Sequence, residues 1–385
     1  MTTGEVLGRR AVNRATLARQ FLLERSTLPV AEVVERLAGL QAQTPHSWYV
    51  GLWNRIAHFQ AEQAADLLTG RAAVRMALMR STIHFVTAED ALWMRPLVQI
   101  VTDRSTHTAF GKHLVGLDRG EVAVAGRALV DKEPLTPSRL GALLAEHGRA
   151  AGWGDRDPAA LAQAVRAWVP LVQVPPRGVW GRSGPIAHTS AEAWLGRPLE
   201  DDPPRERLVL RYLAAFGPAT VKDVQTWSGL TRLREVVDRL RDRLVVLRDE
   251  EGRELFDLPD APRPGPDVPA PVRFMYDFDN LFLSHADRTR VLTPAYQEQT
   301  WPRNVAPSLL LVDGFADGSW KIARSGDTAT LHVKPFRPLT AAERAEVTEE
   351  GARLLEFAEP TAGVKDVRLM PHDTSEMPWA AAAGR

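Results

Sequence analysis

The stretch RERLVLRYLAAFGPATVKDVQTWSGLTRLREVVDRLRDRLVVLRDEEGRELFDL, residues 205–258, decides the fold class of this chain. Apolar residues recur in it at helical spacing and then give way to a β-rich run that turns at Glu251-Gly252. The predicted elements are a helix over 205–216, a turn and cap over 217–220, helices over 221–230 and 231–240, and a hairpin over 244–258. Helix, turn, helix and β-wing is the order of a winged-helix module.

The same order of elements recurs twice before residue 205. Each copy has a helix, a second helix and a β-rich arm, over 11–23, 29–40 and 76–86 in the first and over 135–150, 158–169 and 171–185 in the second. The first arm, MALMRSTIHFV, alternates along its length and predicts one strand, on which Arg80 and His84 share a face. We therefore predict three tandem winged-helix (helix-turn-helix) units.

The C-terminal part of the sequence has a different character. Residues 257–274 are rich in proline and predict a linker or an extended crossing segment. Beyond them, strand-like runs separated by Asp-Gly turns surround one predicted helix over 341–358, which indicates a small β-barrel-like domain. The predicted fold is α+β, with winged-helix units over 1–113, 114–200 and 201–270 followed by the β-barrel-like domain over 271–385.

The composition indicates a cytosolic protein that works without a metal or another cofactor. The 385 residues include no cysteine, which excludes disulfides and thiolate metal sites and suits a reducing cytoplasm. The ten histidines show no HxxxH or HExxH spacing, and no run of about 18 apolar residues could span a membrane. The formal net charge is zero, although arginines concentrate in residues 1–25. A neutral total permits a basic DNA-binding face but does not require one.

The Gln41-Ala42-Gln43 segment is the candidate site. Pro45 biases Thr44 away from helix, so the chain should leave its helix around Gln43. In extended chain, residues two apart face the same way, and both amides could then reach one cavity. The alternative is two exposed glutamines at a helix end.

Five segments of the sequence, in the same order, resemble those of one enzyme family. They are LQAQTPHSWYVGLWNR (40–55), RSTIHFV (80–86), PPRGVWG (175–181), FDNLFLSHADRTRV (278–291) and VDGFADGSWK (312–321). The chain thereby resembles the winged-helix DNA glycosylases of the AlkZ/YcaQ type, whose active-site motif is Gln-apolar-Gln or Gln-apolar-Asp. The resemblance implies that Gln41 and Gln43 are catalytic, and the Gln-Ala-Gln form is closest to the branch that unhooks interstrand crosslinks.

The chemistry of two amides limits the reaction that we expect. A glutamine amide does not titrate and cannot act as a general base, but its oxygen can orient a water molecule. Such help suffices when alkylation at N7 or N3 has made the purine cationic and has weakened its bond to the sugar. No lysine lies near the motif in sequence, so a Schiff-base lyase step is not indicated. We expect a monofunctional DNA glycosylase that leaves an abasic site.

Other residues are candidates for binding DNA. Arg80 is a possible phosphate ligand, and His84 either contacts DNA or is a structural histidine. Arg248 and Arg253, on the third hairpin, either approach the DNA groove, as the resemblance implies, or lie in a solvated turn. Aromatic residues that follow the motif, Trp48, Tyr49 and Trp53, either pack in the core or line a base pocket. The SHADR segment, 284–288, is interpreted as a polar network between segments.

Two functions from different classes fit the predicted fold. One is the glycosylase, with double-stranded DNA containing alkylated purines as its partner, acting as a cytoplasmic, nucleoid-associated monomer in DNA repair or antibiotic self-resistance. The other is a non-catalytic winged-helix regulator that binds DNA, since this fold often serves transcription. The position of Gln41-Ala42-Gln43 at a helix exit favours the enzyme.

Overall fold

A computed structural model of the chain, which describes residues 6–299 and 306–373, has a mixed α+β architecture with three separate β-sheets in the described part. The helices are α1 Arg9–Arg19, α2 Val30–Arg36, α3 Ser47–Trp53, α4 Ala61–Thr69, α5 Ala88–Leu97, α6 Gln99–Phe110, α7 Arg119–Lys132, α8 Pro137–Ala150, α9 Pro158–Trp168, α10 Ala191–Leu195, α11 Arg205–Phe216, α12 Val221–Ser228, α13 Arg234–Arg239, α14 Pro294–Gln297 and α15 Ala341–Ala358. The strands are β1 Val6–Leu7, β2 Leu40–Gln41, β3 Ala73–Ala77, β4 Ile83–Thr87, β5 Leu171–Gln173, β6 His188–Ser190, β7 Val245–Asp249, β8 Glu254–Asp257, β9 Arg273–Met275, β10 Leu309–Val312, β11 Phe315–Ser325, β12 Thr328–Pro335 and β13 Val364–Leu369. Within these ranges, no helix is long and apolar enough to cross a membrane.

The predicted single strand over 76–86 is wrong, because this segment is a hairpin. Strands β3 and β4 pair antiparallel around a short 3-10 turn at Met79–Ser81. Arg80 and Ser81 reverse the chain there with φ of 56° and 60°. The apolar alternation runs on through the turn, and nothing in it signals the left-handed backbone. Arg80 therefore does not share a strand face with His84.

The sheet that contains this hairpin joins segments far apart in sequence. Its strand order is β2-β4-β3-β5-β6, and Arg75 of β3 lies opposite Gln173 of β5. Strands from the predicted first unit and from the predicted second unit thus share one hydrogen-bonded sheet. The boundary at 113/114 and the other predicted boundaries stay predictions.

The segment over 205–258 contains the elements predicted for it. Helices α11, α12 and α13 are followed by the antiparallel hairpin β7–β8, and β1 adds to its edge, parallel to β7. A capping box between Thr220 and Asp223 begins α12, and Gly229 ends it with φ 78°. Apolar residues of α11, α12 and α13 pack into one core cluster, so the helices bury the faces that their periodicity predicts.

The C-terminal domain is β-rich with one helix packed on its sheet, as predicted, but the barrel-like form predicted for it is wrong. The C-terminal sheet is open, with order β13-β12-β11-β10-β9, and its edge strands β9 and β13 do not pair with each other in the described chain. Helix α15 connects β12 to β13, which makes those strands parallel, and buries Val347, Leu354 and Leu355. A face covered by a helix has no need of closure to exclude water. Sheet residues such as Phe274 and Leu331 share a core cluster with Trp48 of α3, so this domain packs directly on the N-terminal part.

Ion pairs hold helix α1 to distant parts of the chain. Arg14 pairs with Asp313 at 2.5 Å, and Arg19 pairs through two nitrogens with Asp257 at 2.7 and 2.8 Å. Arg10 also pairs with Asp313, and Arg25, which follows the helix, pairs with Glu350. Much of the charge of the N-terminal arginines is thus paired with carboxylates of distant segments.

Candidate active site

The chain is extended at Gln41, whereas Gln43 lies in a bend, and the helix before them ends earlier than the predicted exit around Gln43. Helix α2 ends at Arg36, and Ala38 and Gly39 turn the chain with φ of 55° and 82° into strand β2. A Cβ at Gly39 would lie 2.4 Å from Val86 Cγ1, so this position needs glycine both for its φ and for space. Strand β2 pairs with β4, with Gln41 opposite His84, and the Ala42 amide donates to Ile83 O at 2.7 Å.

Gln41 is buried and its amide is oriented by the protein. The residue is 3% exposed, and its Oε1 accepts a hydrogen bond from Arg80 Nη2 at 2.6 Å. Its main-chain oxygen accepts from the Tyr276 hydroxyl at 3.0 Å. An amide oxygen has two lone pairs, so one acceptor position of Oε1 is left for a further donor.

Gln43, by contrast, is exposed. Its Oε1 accepts from the Ile83 main-chain amide at 3.3 Å, which also leaves one lone pair. It lines a cavity of about 750 Å³, whereas Gln41 is not among the described residues of that lining. Gln41 thus lies on β2 and Gln43 just beyond its end, and the two amides are not both at this cavity.

Arg80 is an orienting residue in this structure. Its guanidinium donates to Trp227 O at 2.8 Å and to Asn280 Oδ1 at 3.2 Å, besides Gln41. Burial lowers the pKa of Arg80 to about 10, which leaves it charged at neutral pH. Its predicted part in binding phosphate stays a prediction, and these contacts engage both of its terminal nitrogens.

His84 is fully buried beside Gln41. Burial, reinforced by the charge of Arg80, lowers the pKa of His84 to about 3, so the ring is neutral. Nδ1 lies 2.9 Å from Thr82 O and must be the donor of that bond, which leaves Nε2 as an acceptor. In the described chain Nε2 has no hydrogen-bond partner. Direct contact of this buried ring with DNA would require the site to open, and its predicted role stays a prediction.

The two arginines of the third hairpin differ. Arg248 is exposed and donates to Gly252 O at 2.8 Å, a contact that leaves its charge unneutralised. Arg253 pairs with Asp249, Glu251 and Asp287, and Asp249 and Asp287 raise its pKa. Binding to DNA is untested for both, and Arg248 is the less committed of the two.

The aromatic residues after the motif are core residues. Trp48 and Tyr49 are 0% exposed, and Trp48 stacks on Phe85 with ring centroids 4.2 Å apart. The Tyr49 hydroxyl donates to Gly178 O at 2.9 Å and accepts from the Trp180 amide at 3.1 Å. This favours core packing over a base pocket.

The SHADR segment is part of a polar network, as interpreted. His285 Nε2 lies 3.0 Å from Phe216 O, and the Ala286 amide donates to Asp223 Oδ1 at 2.8 Å. Asp287 is one of the Arg253 partners at 2.9 Å. The segment thereby joins the C-terminal part to α11, α12 and the third hairpin.

Several residues that support the site could not be identified individually from sequence. Arg75 donates to Ala42 O at 2.7 Å, and Asn280 Nδ2 donates to Gly39 O at 3.3 Å, so both hold the segment that contains the glutamines. Asp277 accepts from Thr44 Oγ1 at 2.5 Å, which places a carboxylate next to Gln43. The available signal was the resemblance of 278–291 to the family, which covers Asn280 but not Asp277 or Arg75. No group of three or more His, Asp or Glu suited to a metal occurs among the residues described.

Comparisons with known proteins agree on one family. The family model described as DNA glycosylase AlkZ-like matches residues 34–357, a range that contains both glutamines. The chain is similar to an interstrand DNA cross-link repair glycosylase of Streptomyces sahachiroi, with 26% identity over 360 residues, covering 83% of this chain and 88% of the relative. Its fold is similar to the solved structure of the Streptomyces sahachiroi DNA glycosylase AlkZ, with a TM-score of 0.73, 22% identity, and coverage of 95% of this chain and 100% of that one.

Proposed function

Because the chain belongs to the AlkZ-like DNA glycosylase family, we propose that Gln41 and Gln43 catalyse removal of an alkylated purine from double-stranded DNA. The chain is a DNA glycosylase, a hydrolase of N-glycosyl bonds, and not the regulator that the fold alone allowed. The observation that carries the catalytic assignment is the segment itself, in which a separate donor fixes each glutamine oxygen.

The two amides act by position and by their dipoles. Each oxygen has one lone pair left after its contact with Arg80 or with Ile83 N. Gln43, at the cavity, accepts a proton of a water molecule, so that the water presents its own lone pair to C1′ of the sugar, while the buried Gln41 acts through its carbonyl dipole. The carbonyl dipoles also stabilise positive charge that develops on the deoxyribose. Neither amide removes a proton: the C1′–N bond breaks, the water oxygen bonds to C1′, and the water then releases its proton to the solvent. The reaction therefore depends on a good leaving group.

The substrate class follows from that dependence. A purine alkylated at N7 or N3 carries a positive charge and departs as a neutral base, so it needs no acid catalyst. We propose cationic N7-alkylguanine as the substrate, including bulky natural-product adducts and interstrand crosslinks. The name of the Streptomyces sahachiroi relative, an interstrand DNA cross-link repair glycosylase, supports the crosslink. The product is an abasic site, and no lysine is among the described residues of the cavity lining that could form a Schiff base.

We propose that DNA binds through winged-helix units. Helices α11, α12 and α13 with the hairpin β7–β8 have the element order of one such unit, and α7, α8 and α9 with β5–β6 have that of another. The first unit would comprise α1, α2 and the hairpin β3–β4. We further propose that the protein acts as a monomer at the nucleoid, where its substrate is.

Release of the damaged base tests the proposed reaction. Duplex DNA containing N7-methylguanine, or a crosslinked N7-alkylguanine, is incubated with enzyme, and free base and alkali-labile sites are measured. We expect release by the wild type and its loss when Gln41→Ala and Gln43→Ala are combined.

Gln99→Ala is the matched control for that experiment. Gln99 is a half-buried glutamine on α6 whose amide donates to Ala167 O and Asp103, away from the site. Its substitution should leave base release unchanged. The assignment is wrong if the wild type releases no base, or if the double variant releases it as fast as the Gln99 variant.

A further inference from the structure

The cavity beside Gln43 is lined by an unusual set of polar side chains. Its volume is about 750 Å³, and its wall includes Gln43, Arg75, Arg166, Arg177, Gln173 and His188. Arg75, Gln173 and His188 lie opposite one another on β3, β5 and β6, so they form a row across the sheet. The first turns of α8 and α9 also contribute to the wall.

Arg75 is a buried cation whose charge is not neutralised. It is 1% exposed, and its one hydrogen bond among the described residues is from Nη2 to Ala42 O. Nε and Nη1 have no partner there, and no carboxylate of the described chain forms an ion pair with it. Arg19 and Arg55, which are equally buried, each have an aspartate on both terminal nitrogens. A buried charge without a partner is costly, so such an arrangement indicates a missing anion.

The surroundings of Arg75 add positive charge. Arg166 and Arg177 are half-buried in the same wall, and Arg177 contacts Gly184 O at 3.3 Å. Burial, together with the charges of Arg166 and Arg75, lowers the pKa of His188 to about 4, so this histidine is neutral and does not repel them further. Asp157 is the carboxylate among the described lining residues, and it is used as the cap of α9, accepting from the Ala159 amide.

Gly178 lies against the Arg75 side chain, where there is no room for a Cβ. It has φ 87°, and a Cβ there would lie 2.7 Å from both Cδ and Nη1 of Arg75. Any side chain at this position would have to displace the arginine.

We propose that this cavity is a phosphate site, in which Arg75, assisted by the half-buried Arg166 and Arg177, binds a phosphodiester of the DNA strand that carries the damaged base; because Arg75 is 1% exposed, its guanidinium has to turn toward the cavity to do so. The inference rests on the proposed function and adds a location for the backbone next to Gln43. The damaged purine itself is excluded as the occupant, because a cationic base would be repelled by three guanidinium groups. A phosphate oxygen accepts charge-assisted hydrogen bonds from arginine, and a bound water can bridge it to Gln173 Oε1, which has no hydrogen-bond partner among the described residues.

The site also connects binding to catalysis. Arg75 donates to Ala42 O, the carbonyl between the two glutamines. A phosphate on Arg75 is therefore one residue away from the segment that orients the water. Binding of that phosphate therefore fixes the position of the DNA strand along the site. The sugar next to the bound phosphate is the one whose C1′ lies at the glutamines.

Neutral phosphate replacement tests the proposal without relying on the rate of the reaction. Duplexes contain N7-methylguanine on a 2′-fluoro sugar, which resists cleavage, and one phosphate at a time near the lesion is replaced by methylphosphonate. Dissociation constants are measured for wild type, Arg75→Gln and Arg177→Gln. For wild type we expect one replacement to weaken binding by about tenfold, the effect of a lost charge-assisted bond. In Arg75→Gln the same replacement should have less than about a twofold effect, since the partner is already gone.

The controls distinguish a phosphate bound in this cavity from a general effect of positive charge on DNA binding. Arg353→Gln, on α15, removes an arginine outside this cavity and should retain the full tenfold effect. If Arg75→Gln fails to fold, the half-buried Arg177→Gln carries the test, with partial loss of the same effect expected. Binding of inorganic phosphate to the free protein is measured in parallel by calorimetry.

The outcomes are distinct. Loss of one methylphosphonate effect in Arg75→Gln or Arg177→Gln supports the proposal. If every methylphosphonate replacement weakens DNA binding by the same factor in wild type and in both variants, the proposal is overturned. It is overturned even if inorganic phosphate binds to the free protein, because the site would then bind a free anion and not the DNA backbone. Base release by the wild type is scored separately, so failure of the reaction does not alter the result for the phosphate site.

Discussion

Gln41 and Gln43 are held by different partners, although they lie on one short segment. Gln41 depends on a side chain, Arg80, which itself sits in a left-handed turn between two strands. Gln43 depends on a main-chain amide of β4. A substitution can therefore disturb the orientation of Gln41 alone, while that of Gln43 changes only if the sheet does.

Removal of the guanidinium of Arg80 should slow base release more than it weakens binding. In Arg80→Met the Gln41 oxygen loses its donor and the amide can rotate. A lost hydrogen bond of about 1–1.5 kcal/mol corresponds to a rate reduction of about tenfold. Single-turnover rates and dissociation constants are measured for Arg80→Met, for Gln41→Ala and for the variant that combines them. If Arg80 acts through Gln41, the combined variant is no slower than Gln41→Ala alone. Additive losses would contradict this role.

At this scale the sequence predicted the extended chain at Gln41 but not the end of the helix before it. The helix ends at Arg36, whereas Pro45 had predicted an exit around Gln43. Arg80 was placed on a strand because positive φ leaves no trace in apolar alternation. Arg75 was missed because an arginine within an apolar strand is ordinarily expected to point to solvent. Its burial depends on pairing with β5, which comes about a hundred residues later in the chain.

Among the elements, the turn that leads into β2 is sensitive to a single methyl group. Gly39→Ala places a Cβ 2.4 Å from Val86 Cγ1 and 3.0 Å from Phe85 O, at a φ of 82°. We expect a loss of about 1–3 kcal/mol in the free energy of unfolding, and slower base release because Gln41 moves with β2.

A matched glycine separates the two causes of that loss. Gly252 has a similar φ of 77°, but a Cβ there meets nothing within 4 Å. Urea unfolding of Gly252→Ala measures the backbone cost alone, which should be the smaller. Equal losses in the two variants would mean that contact with Val86 contributes nothing.

The third hairpin should bind DNA through Arg248 more than through Arg253. Each phosphate contact that is lost reduces the slope of log affinity against log salt by about one. We expect this reduction in Arg248→Ala and little change in Arg253→Ala, whose guanidinium already has three carboxylates. Both variants remove one positive charge, so the general effect of net charge is common to them. Equal slopes in the two variants would contradict the distinction.

The elements of the third segment were predictable because their signals are local. Thr220 and Asp223 form a capping box three residues apart, and the hairpin turns at a glycine. That the C-terminal sheet is open and not closed into a barrel was not predictable in the same way. Whether β9 and β13 pair depends on where α15 packs, and nothing within either strand records that.

The molecule as a whole should lose stability in mild acid. Burial lowers the pKa of His84 and His285 to about 3 and that of His188 to about 4. The unfolded chain takes up protons on these residues below pH 6.5, whereas the folded chain does not. Their contribution is therefore complete above pH 6.5 and is lost as pH falls toward 4, by up to about 1.4 kcal/mol per pH unit for each residue.

Unfolding in urea at pH 7, 6 and 5 measures this loss. His84→Asn should reduce the steepness between pH 6 and 5, because one of the three residues no longer titrates. His107→Asn, at an exposed position on α6, should not. A stability that is constant from pH 7 to 5 would show that these rings are protonated in the folded protein.

The ion pairs of the N-terminal arginines have a consequence for synthesis. Arg25 and its partner Glu350 are separated by 325 residues, and Arg14 and Asp313 by 299. At about 5–20 residues per second, a ribosome takes roughly 16 to 65 s to travel from Arg25 to Glu350. For most of that time the first helix has left the ribosome, and the carboxylate partners of these arginines have not yet been made. The nascent chain therefore cannot complete its fold until translation has passed Glu350. The ion pairs of the N-terminal segment form only after nearly the whole chain has been synthesised.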